Sequence, residues 1–285
     1  MFVHVKGSLI YFYDYKLIIY FFYLKYYNFY GIVALLQNPK FGGKSVKLIK
    51  NIKLFSFVGA SMVFGIGPYK KKIDEAIKSG NKEEERKAIY EACQYWTNKI
   101  IDYLKLEINV VNPENLPENG PVVYVANHQS YADVVPFLNV TKHQVGFIAK
   151  DSLEKVPVFR DWVLRIGGLF IKRGDARTSL GTINQGAQMI KDGYSLVIFP
   201  EGTRSHKAEM SDFKPGALKL ATKAKAVVVP VTIRDTYKLF EEKGVVQKGR
   251  SIDFVVHESI DTGKLDRKEL AQLGETVEAI VRSGL

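Results

Sequence analysis

From residue 108 onward the chain alternates short β-branched apolar runs with longer mixed stretches. The runs fall at 108–111, 121–126, 145–149, 168–172, 194–199, 226–233 and 252–257. They are short and almost wholly apolar, as strands buried on both faces are. The segments near 131–140, 156–166, 177–191, 215–224 and 265–283 read as helices. Alternation at this spacing predicts an α/β fold, with a largely parallel central sheet of about seven strands flanked by helices. Ahead of it, Glu83 to Leu106 predicts one long helix. Ile89, Ala92, Trp96, Ile100 and Tyr103 recur at spacings of three and four, and so give a single apolar face. Glu83, Glu84 and Glu85 at its start, with Lys99 and Lys105 near its end, complement the helix dipole. Pro113 to Gly120 is a polar turn region.

The N-terminal part has a different pattern. Residues 9–36 are apolar but broken by Asp14, Lys16 and Lys25, so no run reaches the ~20 residues of a spanning helix. Leu54 to Tyr69 is a second apolar run. At about 1.5 Å per residue it covers about 24 Å, short of a hydrocarbon core of about 30 Å. Gly59, Gly65, Gly67 and Pro68 interrupt it, which favours an interfacial or re-entrant segment over a core helix. No short basic leader precedes a clean apolar stretch, so a signal peptide is not expected. The expected organisation is a membrane-associating segment over 1–68, linking amphipathic helices over 69–107 and an α/β domain over 108–285.

Charge sharpens this picture. The 285 residues carry a net +11. Residues 1–60 hold eight lysines against one acid, Asp14, and so account for +7 of it. The first thirty residues also hold thirteen of the thirty-five aromatics. Lysines mixed with Tyr and Phe suit an anionic membrane surface. Nucleic acid is not expected as a partner, because no recognition motif accompanies the basic residues. The expected location is a membrane, on its cytoplasmic face, interfacial or monotopic rather than spanning. A single cysteine, Cys93, excludes an intrachain disulfide and a cysteine zinc cluster, and suits a reducing compartment. The histidines show no metal-site spacing, and neither metal nor cofactor is expected.

The candidate chemistry lies where strands end. Asn127-His-Gln-Ser-Tyr-Ala-Asp133 follows the run 121–126. On one helix, His128 and Asp133 would point about 140° apart. They meet only if His128 sits in the turn and Asp133 in the first helical turn. Ser130 then fits as N-cap, with Ser130 and Asp133 as a capping pair. Asp133 would hold one imidazole nitrogen and leave the other to take a proton. Three more strands break into polar turns: Gly168-Leu-Phe-Ile-Lys-Arg173, Leu196-Val-Ile-Phe-Pro-Glu-Gly-Thr-Arg-Ser205, and Ala226-Val-Val-Val-Pro-Val-Thr-Ile233. Ligand-facing groups follow strands in this way in open α/β sheets.

Together and in this order, the four segments resemble the motif blocks of the glycerophospholipid acyltransferase family, nearest its lysophosphatidic acid acyltransferase branch. The resemblance covers roughly residues 105–260. It implies acyl transfer from acyl-CoA or acyl-carrier protein, as co-substrate, to the sn-2 hydroxyl of a membrane lysophospholipid, 1-acylglycerol-3-phosphate. The product is phosphatidic acid. His128 is the implied base and Asp133 its partner. Arg204 would present donors to the acceptor phosphate, flanked by Lys172 and Arg173. Glu201 would position the turn or the glycerol hydroxyl, and Gly202 and Thr203 belong to the same turn. Lys214, in Phe213-Lys-Pro-Gly216, is a further phosphate candidate. No Gly-x-Ser-x-Gly elbow is present, which favours direct transfer over a serine acyl-enzyme. Arg160 and Val227 stand where the family often has glycine and proline. The run Glu201 to Lys207 departs from the Glu-Gly-x-Arg-Ser-Arg of glycerol-3-phosphate acyltransferases. The competing functions are acylation of another lysophospholipid or of glycerol-3-phosphate, and a non-catalytic membrane lipid-binding protein.

Overall fold

The structure, a computed structural model, describes residues 3–5, 8–10, 42–63, 67–172 and 176–285. Most of the aromatic stretch 9–36 lies outside the described residues. The main sheet contains β1 (Glu107–Val111), β2 (Val122–Ala126), β3 (Val145–Lys150), β4 (Leu169–Ile171), β5 (Ser195–Ile198), β6 (Val227–Arg234), β7 (Ser251–Val256) and β8 (Ile260–Asp261). The helices are α1 (Gly42–Val63), α2 (Gly67–Ser79), α3 (Lys82–Leu104), α4 (Val134–Val140), α5 (Pro157–Arg165), α6 (Ala176–Lys191), α7 (Lys219–Ala224) and α8 (Arg267–Ser283). A short antiparallel pair, Val3–Val5 with Ser8–Ile10, stands apart from this sheet.

The strand order is β1-β7-β6-β2-β5-β3-β4, with β8 beside the start of β6. The five strands from β6 to β4 are mutually parallel. β7 is antiparallel to β6, and β1 runs with β7. The reversal follows from the connection. The chain leaves β6 through a 3-10 turn at Thr236–Leu239 and returns along the neighbouring edge without a crossover helix. All seven expected strands form, and β8 adds two residues. The helix expected over 215–224 starts only at Lys219, because Pro215 and Gly216, the latter at φ +76°, hold the preceding residues in turns.

The strand pleat divides the core. In β2, Val122, Tyr124 and Ala126 join one cluster with Ala88, Ile89, Ala92 and Cys93 of α3 and Phe137 of α4. Val123 and Val125 point to the other face, against Leu218, Leu220 and Ala221 and against Leu273, Val277 and Val281 of α8. Both faces are thus covered, which is why the sequence of β2 is wholly apolar. Asn81 caps α3 by accepting from the Glu83 and Glu84 amides at 3.1 and 3.2 Å. Cys93 is part of this core, and burial pushes its thiol up to about 12, which leaves it unreactive.

The apolar run 54–69 is divided. α1 ends at Val63 and α2 starts at Gly67. The second half of α1 lies against α3: Leu54 is buried with Ile100 and Leu104, Phe57 stacks on Tyr103 at 4.2 Å, and Trp96 donates to the Ser61 hydroxyl at 2.9 Å. Among the described residues, no helix is long and apolar enough to cross a membrane.

Candidate active site

The site forms at the carboxyl edge of the parallel strands, from the turns that follow β2, β5 and β6. At the end of β2 the fully buried Asn127 extends the sheet ladder with its side chain. Its amide donates to the Ile233 carbonyl at 2.8 Å and accepts from the Ile233 amide at 2.7 Å. The backbone can then turn away at His128 with its polar groups still paired. Ser130 caps a 3-10 turn, Tyr131–Asp133, through the Ala132 amide at 3.0 Å, and this turn leads into α4. Asp133 Oδ2 reaches back to accept from the Ser130 amide at 3.0 Å and the Gln129 amide at 2.8 Å. The capping pair expected from the sequence is therefore present, and it folds the Asp133 carboxylate under the imidazole.

His128 Nδ1 lies 2.7 Å from Asp133 Oδ2. The carboxylate already accepts from two amides and, through Oδ1, from the Thr236 hydroxyl. With its oxygens taken up as acceptors, the carboxyl group faces the ring as an acceptor, so Nδ1 carries the hydrogen and Nε2 the lone pair. Asp133 is fully buried, whereas the His128 side chain is 16% exposed. Among the described residues Nε2 has no hydrogen-bond partner. The ring stacks on Phe199 at 4.1 Å and 15° from parallel, which fixes its plane.

The turn after β5 is laced to this one by backbone. Buried Glu201 accepts from the His128 amide at 2.6 Å with one oxygen and from the Ser211 amide at 2.7 Å with the other. Burial raises its carboxyl above the ordinary range, against the two amide bonds that pull it down. Of the two roles open to Glu201, positioning the turn accounts for both of its oxygens. The Ser205 and His206 amides donate to the His128 and Gln129 carbonyls at 2.8 and 3.2 Å. Gly202 sits at φ +69°, a left-handed conformation that favours glycine, and the flexible Lys214 side chain lies over it.

The Arg204 guanidinium carbon lies over the Tyr131 ring, 3.4 Å from its centroid, and Nη1 donates to Glu241 at 3.2 Å. Thr203 and Lys214 are exposed on the same turn system. Lys172 is exposed at the end of β4, on the same edge but separated from β5 by β3. Arg173 lies outside the described residues. Among the described residues, no group of three or more His, Cys, Asp or Glu could hold a metal ion.

Three comparisons bear on this geometry. A family model described as Acyltransferase matches residues 107–234, the span from β1 to the end of β6 that carries His128, Glu201 and Arg204. The crystal structure of the 1-acyl-sn-glycerophosphate (LPA) acyltransferase PlsC from Thermotoga maritima superposes with a TM-score of 0.72 at 26% identity, over 85% of this chain and 95% of that one. Residues 107–234 of this chain form an acyltransferase-family domain. Relatives named 1-acyl-sn-glycerol-3-phosphate acyltransferase include chloroplastic LPAT1 of Arabidopsis thaliana, 30% identical over 73% of this chain and 54% of that protein. The Saccharomyces cerevisiae protein of that name is 33% identical over 65% and 61%. The chain spans about half the length of the first of these curated relatives.

Two residues of this candidate site were not legible in the sequence. Thr236 and Glu241 lie 103 and 111 residues from the Asp133 and Ser130 groups they bind. The one sequence signal was position, since both follow the buried strand 226–233.

Proposed function

We propose that this protein transfers a fatty acyl group from a thioester donor, acyl-CoA or acyl-carrier protein, to the sn-2 hydroxyl of 1-acylglycerol-3-phosphate, giving phosphatidic acid. The observation that carries the reading is the His128–Asp133 pair, with Nε2 turned outward beside a turn bearing Arg204. His128 Nε2 takes the proton of the acceptor hydroxyl as its oxygen attacks the thioester carbonyl. Asp133 stabilises the imidazolium formed. Collapse of the tetrahedral intermediate breaks the C–S bond, and the imidazolium returns the proton to the leaving thiolate. Arg204 binds the acceptor phosphate, with Lys172, Arg173, Thr203 and Lys214 as further candidates along its path. The acceptor is the substrate that the names of the relatives specify.

The test is thiol release with both donor types across lysophosphatidic acid, other lysophospholipids and glycerol-3-phosphate. We expect the highest kcat/KM with lysophosphatidic acid. His128→Ala should lower kcat by roughly 10²–10⁴-fold, and Asp133→Asn should reduce it severely. Near wild-type turnover in a folded His128→Ala protein would sink the mechanism, and preference for another acceptor would replace the substrate.

We further propose interfacial attachment to the cytoplasmic face of an anionic membrane through the N-terminal part of the chain. The basic and aromatic excess there supports it, and flotation with anionic liposomes tests it.

A further inference from the structure

Glu241 is a buried carboxylate outside every segment that the sequence singled out. Its side chain is 4% exposed. One oxygen accepts from the Ser130 hydroxyl at 2.7 Å. The other accepts from the Tyr131 amide at 3.2 Å and from Arg204 Nη1 at 3.2 Å. Glu241 thus touches both halves of the site: the turn that carries His128 and Asp133, and the arginine on the turn after β5.

A carboxylate that exposed only a few per cent of its surface would be costly without partners, and here it has three. Its place is fixed from behind. Phe240 packs edge-on against Phe55 of α1 at 5.6 Å. The Asn51 side chain of α1 donates to the Gly244 carbonyl at 2.9 Å and accepts from the Val246 amide at 3.2 Å. Lys248 lies 3.5 Å over the Tyr103 ring. The segment is therefore held at Phe240, Gly244, Val246 and Lys248, and Glu241 projects from it into the site.

We propose that Glu241 is a positioning residue for the phosphate-bearing acceptor: its carboxylate and the Tyr131 ring together fix the plane of the Arg204 guanidinium, so that the remaining nitrogens meet the phosphate already oriented. Arginine recognises phosphate with a planar fork, and binding improves when the fork need not be ordered on arrival. Glu241 takes one nitrogen, Nη1, and Tyr131 covers one face. The geometry leaves Nε and Nη2 for the ligand. The Ser130 bond sets the same carboxylate in register with the His128 turn, so Glu241 ties the Arg204 fork to the base, beside the Glu201 and backbone bonds that join the two turns.

This rests on the reading of the acceptor as a phosphate monoester, and the experiment separates the two. Turnover and equilibrium binding of lysophosphatidic acid are measured for the wild-type protein, Glu241→Gln, Arg204→Ala and the double variant, with far-UV dichroism and melting as a check on folding. Glu241→Gln keeps the shape and loses the charge. It should raise the lysophosphatidic acid KM and Kd about tenfold, leave the donor KM unchanged, and add nothing further once Arg204 is alanine. Wild-type acceptor affinity in a folded Glu241→Gln protein overturns the proposal. So do effects that multiply in the double variant, because Glu241 would then act independently of Arg204. If Glu241→Gln melts early, Arg204→Lys serves instead. It keeps the charge without the fork and should lose as much acceptor affinity as Glu241→Gln was expected to, and wild-type affinity there overturns the proposal too. A wild-type protein that binds lysophosphatidic acid but transfers no acyl group refutes the activity, while the binding comparison still decides the role of Glu241. Absence of both binding and turnover refutes both.

Discussion

At the scale of single residues, the site is a chain of donors converging on one carboxylate. Asp133 receives two backbone amides, the imidazole and the Thr236 hydroxyl. The amides come from the same turn and form as soon as the turn does. Thr236 alone brings in the end of β6 and fixes the carboxylate from the far side. Removing its hydroxyl leaves a buried oxygen without its donor, a loss of about 1–3 kcal/mol in comparable cases. Thr236→Val should therefore lower kcat roughly tenfold while leaving both KM values in place, because neither substrate reaches Thr236. Thr236→Ser, which keeps the hydroxyl, should restore turnover. Steady-state kinetics on the two variants checks this. Equal losses in both would assign the effect to packing rather than to the hydrogen bond.

At the scale of elements, each polar group reaches the site because a strand stops in the right place. β2, β5 and β6 are neighbours in the sheet and run parallel, so their ends deliver His128, the turn of Glu201 to Arg204, and Thr236 to one edge. β3 and β4 complete that edge, and the chain entering β4 passes close against β3. A Cβ on Gly146 of β3 would lie 2.1 Å from the Gly167 carbonyl oxygen. That contact is with backbone, which cannot swing aside as a side-chain tip can. Gly146→Ala should destabilise the fold by about 1–3 kcal/mol, read as a lower midpoint in urea. An unchanged midpoint would show that the β4 edge yields more freely than its packing implies. Where the strand is displaced, the end of β4 and Lys172 move with it, so acceptor binding should weaken in parallel.

At the scale of the whole molecule, the question is what the N-terminal part of the chain does for a domain whose site is already complete. Residues 1–60 carry +7 of the net +11. Each lysine near an anionic leaflet contributes about 1 kcal/mol, and the effect weakens within a Debye length of ~8 Å as salt rises. The full chain should float with anionic liposomes at low salt and float less at high salt. The described part of α1 shows where to cut. Asn51, Leu54, Phe57 and Ser61 bind α3 and the segment behind Glu241. Deleting residues 1–67 would damage the site as well as the attachment, whereas deleting residues 1–41 leaves those contacts intact. The shorter deletion should reduce flotation while leaving kcat with a dispersed acceptor unchanged. A full chain that stays with the protein fraction at low salt would refute the attachment.

The sequence by itself determined the strands, the alternation that makes the sheet largely parallel, and the local half of the site. Each rests on neighbours in the chain. Wholly apolar runs demand burial on both faces. Ser130 and Asp133 are three residues apart, so one turn of backbone brings the carboxylate beneath His128. Only the tertiary structure decided the rest, because those contacts join segments that spacing does not relate. β1 and β7 run against the five parallel strands, since the chain after β6 returns along the neighbouring edge without a crossover helix. Glu201 turns its two oxygens to backbone amides, one of them from the other turn. The second half of α1, apolar enough to suggest an interfacial segment, finds its partners on α3. Thr236 and Glu241 enter the site from more than a hundred residues away. A carboxylate in an ordinary polar stretch has no mark in sequence, and it becomes part of a site only when folding surrounds it with the donors it must satisfy.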